Sequence, residues 1–171
     1  MSGTLFDAAP SPPAGYSAEI SDCGRYRYVL GRSWEPGPGE LCVVGLNPST
    51  ADGMVDDPTI RRCMNFARSW GFGGLRMVNL FAWRATKPTE LPVSLEEAVG
   101  PRTDEVLMRE LRAARMVLAA WGASPRAVER AAVVKGWGLR DLYALAVNAD
   151  GSPKHPLYVR GTTMPHLWER A

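Results

Sequence analysis

Four short apolar runs, each closed by a polar or glycine residue and separated by stretches of helical spacing, organise the chain. The first, Leu41-Cys42-Val43-Val44-Gly45-Leu46, stops at Asn47-Pro48-Ser49-Thr50. An unbroken apolar run of this length reads as a strand buried on both faces, and Pro48, having no N–H to give a ladder, ends it. Asp57-Pro58 then predicts a helix start, with the carboxylate capping free amides and the proline already holding a helical φ. Ile60, Cys63, Met64, Ala67 and Trp70 continue at helical spacing as far as Gly71.

The other runs are 75–80, 116–121 and 142–147. Between them Thr103 predicts a helix cap ahead of Val106, Leu107, Leu111 and Ala114, and Ser124-Pro125 opens a further helix that closes near Gly136. Strands alternating with helices predict an α/β fold, a three-layer α/β/α sandwich around a four-stranded, mainly parallel central sheet. Ahead of the first run, Arg25 to Leu30 alternates basic with aromatic or aliphatic residues. With the Pro- and Gly-rich turn at 35–39, this predicts an antiparallel edge hairpin onto the first core strand. Residues 1–15 carry too few apolar groups to pack and read as a disordered tail, leaving 16–171 as a single domain. In parallel sheets ligands sit beyond the carboxyl ends of the strands, which singles out Asn47, Ser49, Thr50, Asp52 and Asn79.

Composition narrows this picture slightly. A net charge of +2 over 171 residues neither demands nor excludes nucleic acid, since Arg61, Arg62 and Arg68 form a local basic cluster. Three cysteines are an odd, widely spaced set, two of them at apolar positions, as in a reduced cytoplasmic protein. No apolar stretch approaches the ~20 residues of a membrane span, and the start lacks the pattern of a secretory signal.

Three separated segments together resemble the uracil-DNA glycosylase superfamily. Gly45-Leu46-Asn47-Pro48-Ser49 resembles its water-activating motif, and Asn79 with the run to Arg84 resembles a strand-end Asn followed by Arg. His155-Pro156-Leu157-Tyr158 resembles the His-Pro-Ser motif ahead of a DNA-intercalating loop. The longer pattern from Asn47 to Arg62 looks like an uncharacterised bacterial domain-of-unknown-function family. Ser49 stands where the superfamily has Gly or Tyr, Leu157 replaces the Ser after His-Pro, and no four cysteines exist for an iron–sulfur cluster. The resemblance implies a glycosylase-like fold and a base pocket formed by Gly45, Leu46, Pro48, Ser49, Thr50, Asn79, Phe81 and Pro156. It also implies a nucleic-acid surface at Arg61, Arg62, Arg84, Leu157, Tyr158 and Arg160.

Each role has a plainer counterpart. Asn47 is expected to position a water as the glycosidic bond breaks, or merely to bond its own turn. Asn79 offers donor and acceptor to a base edge, or is a satisfied strand-end residue. His155 is expected to donate to the departing base, or lies exposed in a loop. Asp52, Asp56 and Asp57 invite a metal, but Asp57 is explained as a cap and no His lies nearby, so neither metal nor cofactor is expected. The expected function is hydrolysis of N-glycosidic bonds; the alternative is a non-catalytic module binding a nucleotide or modified base. The expected partner is DNA or a nucleotide- or nucleoside-like ligand, engaged by a monomer with no membrane attachment.

Overall fold

Seven strands, numbered in chain order, share one sheet in a computed structural model that describes residues 11–49 and 51–171. Their spatial order is β1 (Tyr16–Ile20), β2 (Arg27–Ser33), β4 (Gly74–Asn79), β3 (Glu40–Gly45), β5 (Met116–Ala119), β6 (Leu142–Ala144), β7 (His166–Glu169). β3 is parallel to β4 and to β5, and β5 is parallel to β6. The pairs β1–β2, β2–β4 and β6–β7 are antiparallel. The predicted four-stranded, mainly parallel sheet is therefore corrected to a seven-stranded mixed sheet within an α/β fold. The hairpin expected between β2 and β3 does not form either. β2 folds back on β1 and lies along β4, because β4 occupies that side of β3 through parallel pairing.

Helix α1 (Pro58–Ser69) covers one face, burying Ile60, Cys63, Phe66 and Ala67 against Leu41, Val43 and Leu75. Helices α2 (Leu95–Val99), α3 (Thr103–Ala113) and α4 (Ala127–Gly136) cover the other, where Val106, Leu107, Leu111 and Val134 meet Cys42, Val44 and Val117. Each fully buried Val, Leu, Ile or Phe among them contributes about 1.5–3 kcal/mol, so the alternate residues of β3 hold both layers. Burial pushes the thiols of Cys42 and Cys63 up to about 12, which marks them as packing groups. Thr103 is the first residue of α3 rather than its cap, and its hydroxyl donates to Val99 O at the end of α2. Among the described residues no helix is long and apolar enough to cross a membrane.

The connections place the site. β3 leads into α1 on one face and neighbouring β5 into α4 on the other, so the chain leaves these two strands in opposite directions. A crevice between their carboxyl ends follows, the position where open α/β sheets bind ligands.

Candidate functional site

A cleft of about 450 Å³ occupies this crevice. The end of β3 and its loop contribute Gly45, Leu46, Asn47 and Ser49, and β4 contributes Met77 and Asn79. Trp121 and Gly122 follow β5, and the loop after β6 brings His155 and Tyr158. Gly122 has φ 75° and donates its N–H to Pro153 O at 3.0 Å, which holds the His155 loop against the end of β5. Asn47, Asn79 and His155, scattered in sequence, thus border one cavity.

Gly45 lies opposite Asn79 in the β3–β4 ladder. A Cβ at position 45 would stand 2.7 Å from Asn79 Oδ1 and 2.8 Å from Met77 Cε, closer than real Cβ contacts come. A side chain at this position would have to push the Asn79 amide and the Met77 tip aside. That amide is 3% exposed, and neither its oxygen nor its nitrogen has a hydrogen-bond partner. Leaving a buried polar group unpaired costs about 1–3 kcal/mol, and native proteins rarely tolerate it without a reason.

Asn47 is differently placed. Its Nδ2 donates to Ala85 O at 2.9 Å and to Pro48 O at 3.2 Å, stitching the turn after β3 to the segment after β4. Asp57 is the carboxylate among the residues bordering the cleft. Its Oδ1 accepts from Ile60 N at 2.8 Å, capping α1, and its Oδ2 accepts from the Ser49 hydroxyl at 2.8 Å. The other two loop carboxylates turn elsewhere. Asp52 accepts from Met54 N and Val55 N, while Asp56 accepts from Arg32 Nε at 2.7 Å and from Tyr16 OH at 2.8 Å. With each carboxylate held by its own donors, the three do not converge, and no metal-binding cluster occurs among the described residues.

His155 Nδ1 accepts from Leu157 N at 3.3 Å, an arrangement that puts the proton of the neutral ring on Nε2. Burial pushes the imidazole below its ordinary 6.5, with the charge of Asp57 opposing. The folded protein therefore keeps His155 neutral where the unfolded chain has begun to protonate. As pH falls from 6.5 through the lower folded-state value, the unfolded chain binds more protons and stability should decline. NMR titration of the His166→Gln protein, in which His155 is the remaining imidazole, should give a midpoint below 6.5. A midpoint at or above 6.5 would contradict the neutral-donor assignment.

Other expected site residues are distributed unevenly. Phe81 is fully buried in the core, and Pro48 and Pro156 are buried and do not line the cleft. Arg62 reaches across to the carbonyls of Pro156 and Val159, anchoring the His155 loop to α1. Arg61 donates to Asp56 O at 2.6 Å and Arg84 to Gly24 O at 3.2 Å. Leu157 and Tyr158 are 45% and 80% exposed on a 3₁₀ turn (Pro156–Tyr158) at the rim, and Arg160 is exposed just beyond. Thr50 and residues 1–10 of the expected tail lie outside the described residues.

Sequence reasoning missed Arg27 at the cleft, and treated Asp57 as a cap alone. Arg27 is 2% exposed, borders the cavity, and donates from Nη1 to Ala51 O at 2.5 Å, while its Nε has no partner. The sequence carries no distinguishing signal for it, because Arg27 falls within the basic and apolar alternation of residues 25–30 and β2 contains a second arginine, Arg32. Neither the curated proteins nor the solved structures give a match to this chain. A family model does match, over residues 27–157, which include Arg27, Asn47, Asp57, Asn79 and His155. The chain belongs to that family, described as a protein of unknown function (DUF1643).

Proposed function

We propose that this protein recognises a nucleobase in the cleft and hydrolyses its N-glycosidic bond, the activity implied by the resemblance of its Asn47, Asn79 and His155 segments to glycosylase motifs. The observation that carries the reading is the Asn79 amide, buried at a cavity wall with donor and acceptor both unpaired. Such an edge is complementary to a base ring offering an acceptor beside a donor.

The chemistry then needs a proton acceptor for water and a stabiliser for the leaving base. Asn47 cannot take a proton, and its amide nitrogen is already engaged. Asp57 can. In the proposed step, water oxygen bonds to the anomeric carbon and passes a proton to the Asp57 carboxylate as the C–N bond breaks. The bonding pair moves onto the base, whose growing negative charge is met by His155 Nε2–H; the departing base anion takes a proton from solvent and Asp57 returns the water's proton to solvent. Asn47 keeps the turn in place and orients the water through its carbonyl oxygen.

The engagement of Asn47 favours a second reading, a module that binds a nucleotide or modified base without cleaving it. Incubating the protein with duplexes and single strands carrying a panel of altered bases, and with the corresponding nucleosides, separates the two. Release of a free base that Asp57→Asn slows by about 100-fold or more supports hydrolysis. Saturable binding without release leaves the binding module.

Leu157 and Tyr158 fit a wedge that fills the gap left by an extruded base, an event costing a few kcal/mol. Replacing both with alanine should weaken duplex binding by about 10-fold and leave single-strand binding nearly unchanged. Equal losses on both substrates, measured by fluorescence anisotropy, would remove base extrusion from the account.

A further inference from the structure

Arg27 stands apart from the other buried arginines among the described residues. Arg32, also buried, has the Asp56 carboxylate at 2.7 Å, and Arg130 has Asp104. Arg27 has no carboxylate within ion-pair distance among the described residues, and one of its N–H groups is unsatisfied. Removing a guanidinium from water without a counter-charge is costly, and here that charge borders an open cavity that the second unsatisfied group, Asn79, also lines. The loop contact to Ala51 O uses Nη1 alone and leaves the orphaned Nε unexplained.

The surroundings do not cancel the charge. Asp57 and Asp52 act favourably on Arg27, but Asp57 is engaged by Ile60 N and the Ser49 hydroxyl and Asp52 by the amides of Met54 and Val55. Arg84 and Arg32 act against it. Burial pulls the guanidinium down to about 10, still well above neutral pH, so it remains a cation. A guanidinium has only donors to offer. Whatever meets it must present an acceptor, and the best acceptor is an oxygen bearing negative charge.

We propose that Arg27 is a ligand-binding residue that receives a negatively charged, or charge-accumulating, oxygen of the substrate at the buried side of the cleft. The inference rests on the base-recognising reading and narrows it. The ligand carries either an oxo group on the base, which gains charge as the base departs, or a phosphate. A base with an amino group at that edge would set donor against donor and be rejected. Arg27 thereby complements Asn79, the amide reading the ring and the guanidinium reading its oxygen.

Calorimetric titration of the full chain tests this with uracil against cytosine, hypoxanthine against adenine, and inorganic phosphate. The proteins compared are wild type, Arg27→Met and Arg27→Lys. Methionine fills similar volume without charge, so the empty variant should stay folded, and Arg27→Lys keeps the charge without the planar fork. Wild type should prefer the oxo member of each pair, or bind phosphate. Arg27→Met should weaken that binding by about 10- to 100-fold, and Arg27→Lys should restore part of it. Oxo preference abolished in Arg27→Met identifies a base oxygen, and phosphate binding abolished there identifies a nucleotide phosphate. Binding of phosphate alone through Arg27 would retain this proposal and remove base recognition. Binding of bases unchanged by Arg27→Met would do the reverse, and wild-type protein that binds none of these probes overturns the proposal.

Discussion

Replacing Asp56 with alanine should destabilise the protein by about 3–5 kcal/mol, the usual cost of leaving a buried charge without its partner. The Arg32 side chain is fully buried, and Asp56 is its carboxylate, with Oδ1 2.7 Å from Nε. The pair does not stand alone. Tyr16 OH donates to Asp56 Oδ2, the Tyr16 ring lies 3.9 Å from the Arg32 guanidinium carbon, and Arg32 Nη2 donates to Asp52 O at 2.6 Å. Arg32 on β2 therefore clamps the loop from Asp52 to Asp56, the segment that delivers Asp57 to the cleft and to the start of α1. At about 2–4 °C per kcal/mol for a chain of this size, thermal unfolding should move down by roughly 10 °C. Replacing Asp56 and Arg32 together with apolar residues should recover part of the loss, because no isolated charge then remains. A single mutant melting within a degree or so of the parent would show that the clamp is solvated.

Asn79→Leu should have the opposite effect on stability and a larger one on function. Leucine matches the shape of asparagine and removes two buried polar atoms that have no partners. The empty protein should gain about 1–3 kcal/mol and melt a few degrees higher. Base binding or release should fall by on the order of 100-fold, because the ring edge loses both complementary bonds. Stability given up at a site that is silent in the empty protein is what a ligand-binding group leaves behind. If Asn79→Leu is less stable than the parent, the amide has a structural partner after all and the site loses its centre.

The parts of this fold visible in the sequence are those buried on both sides. The segments that became β3, β4 and β5 read as apolar runs because helices cover both faces of the sheet there. β1 and β7 escape that reading because they are short edge strands with half-exposed, mixed residues, for which no run or clean alternation exists. α2 is only five residues long, yet it carried a legible mark: Ser94, three positions ahead of Glu97, caps the Glu97 amide. Asn47 and Asn79 could be found because polar residues ending apolar strands sit at the ligand edge of a parallel sheet. Arg27 could not, since alternation in 25–30 places basic residues on a solvated face, whereas β2 is covered on both sides by the sheet's two layers. Asp57 both caps α1 and borders the cleft, and the cap explained it so fully that its place at the cleft left no trace in the pattern.

The central claim is that the unpaired Asn79 amide reads a nucleobase. Its side-chain NH₂ gives a pair of ¹H–¹⁵N signals assignable by comparison with Asn79→Leu, and these can be followed while bases, nucleosides and nucleoside monophosphates are titrated into the wild-type protein. We predict that at least one of them shifts the Asn79 pair in a saturable way, together with the His155 ring and not with residues beyond the cleft. Signals of Asn79 that stay unmoved at saturating concentrations of every ligand, or binding that perturbs only residues far from Asn79, would contradict it.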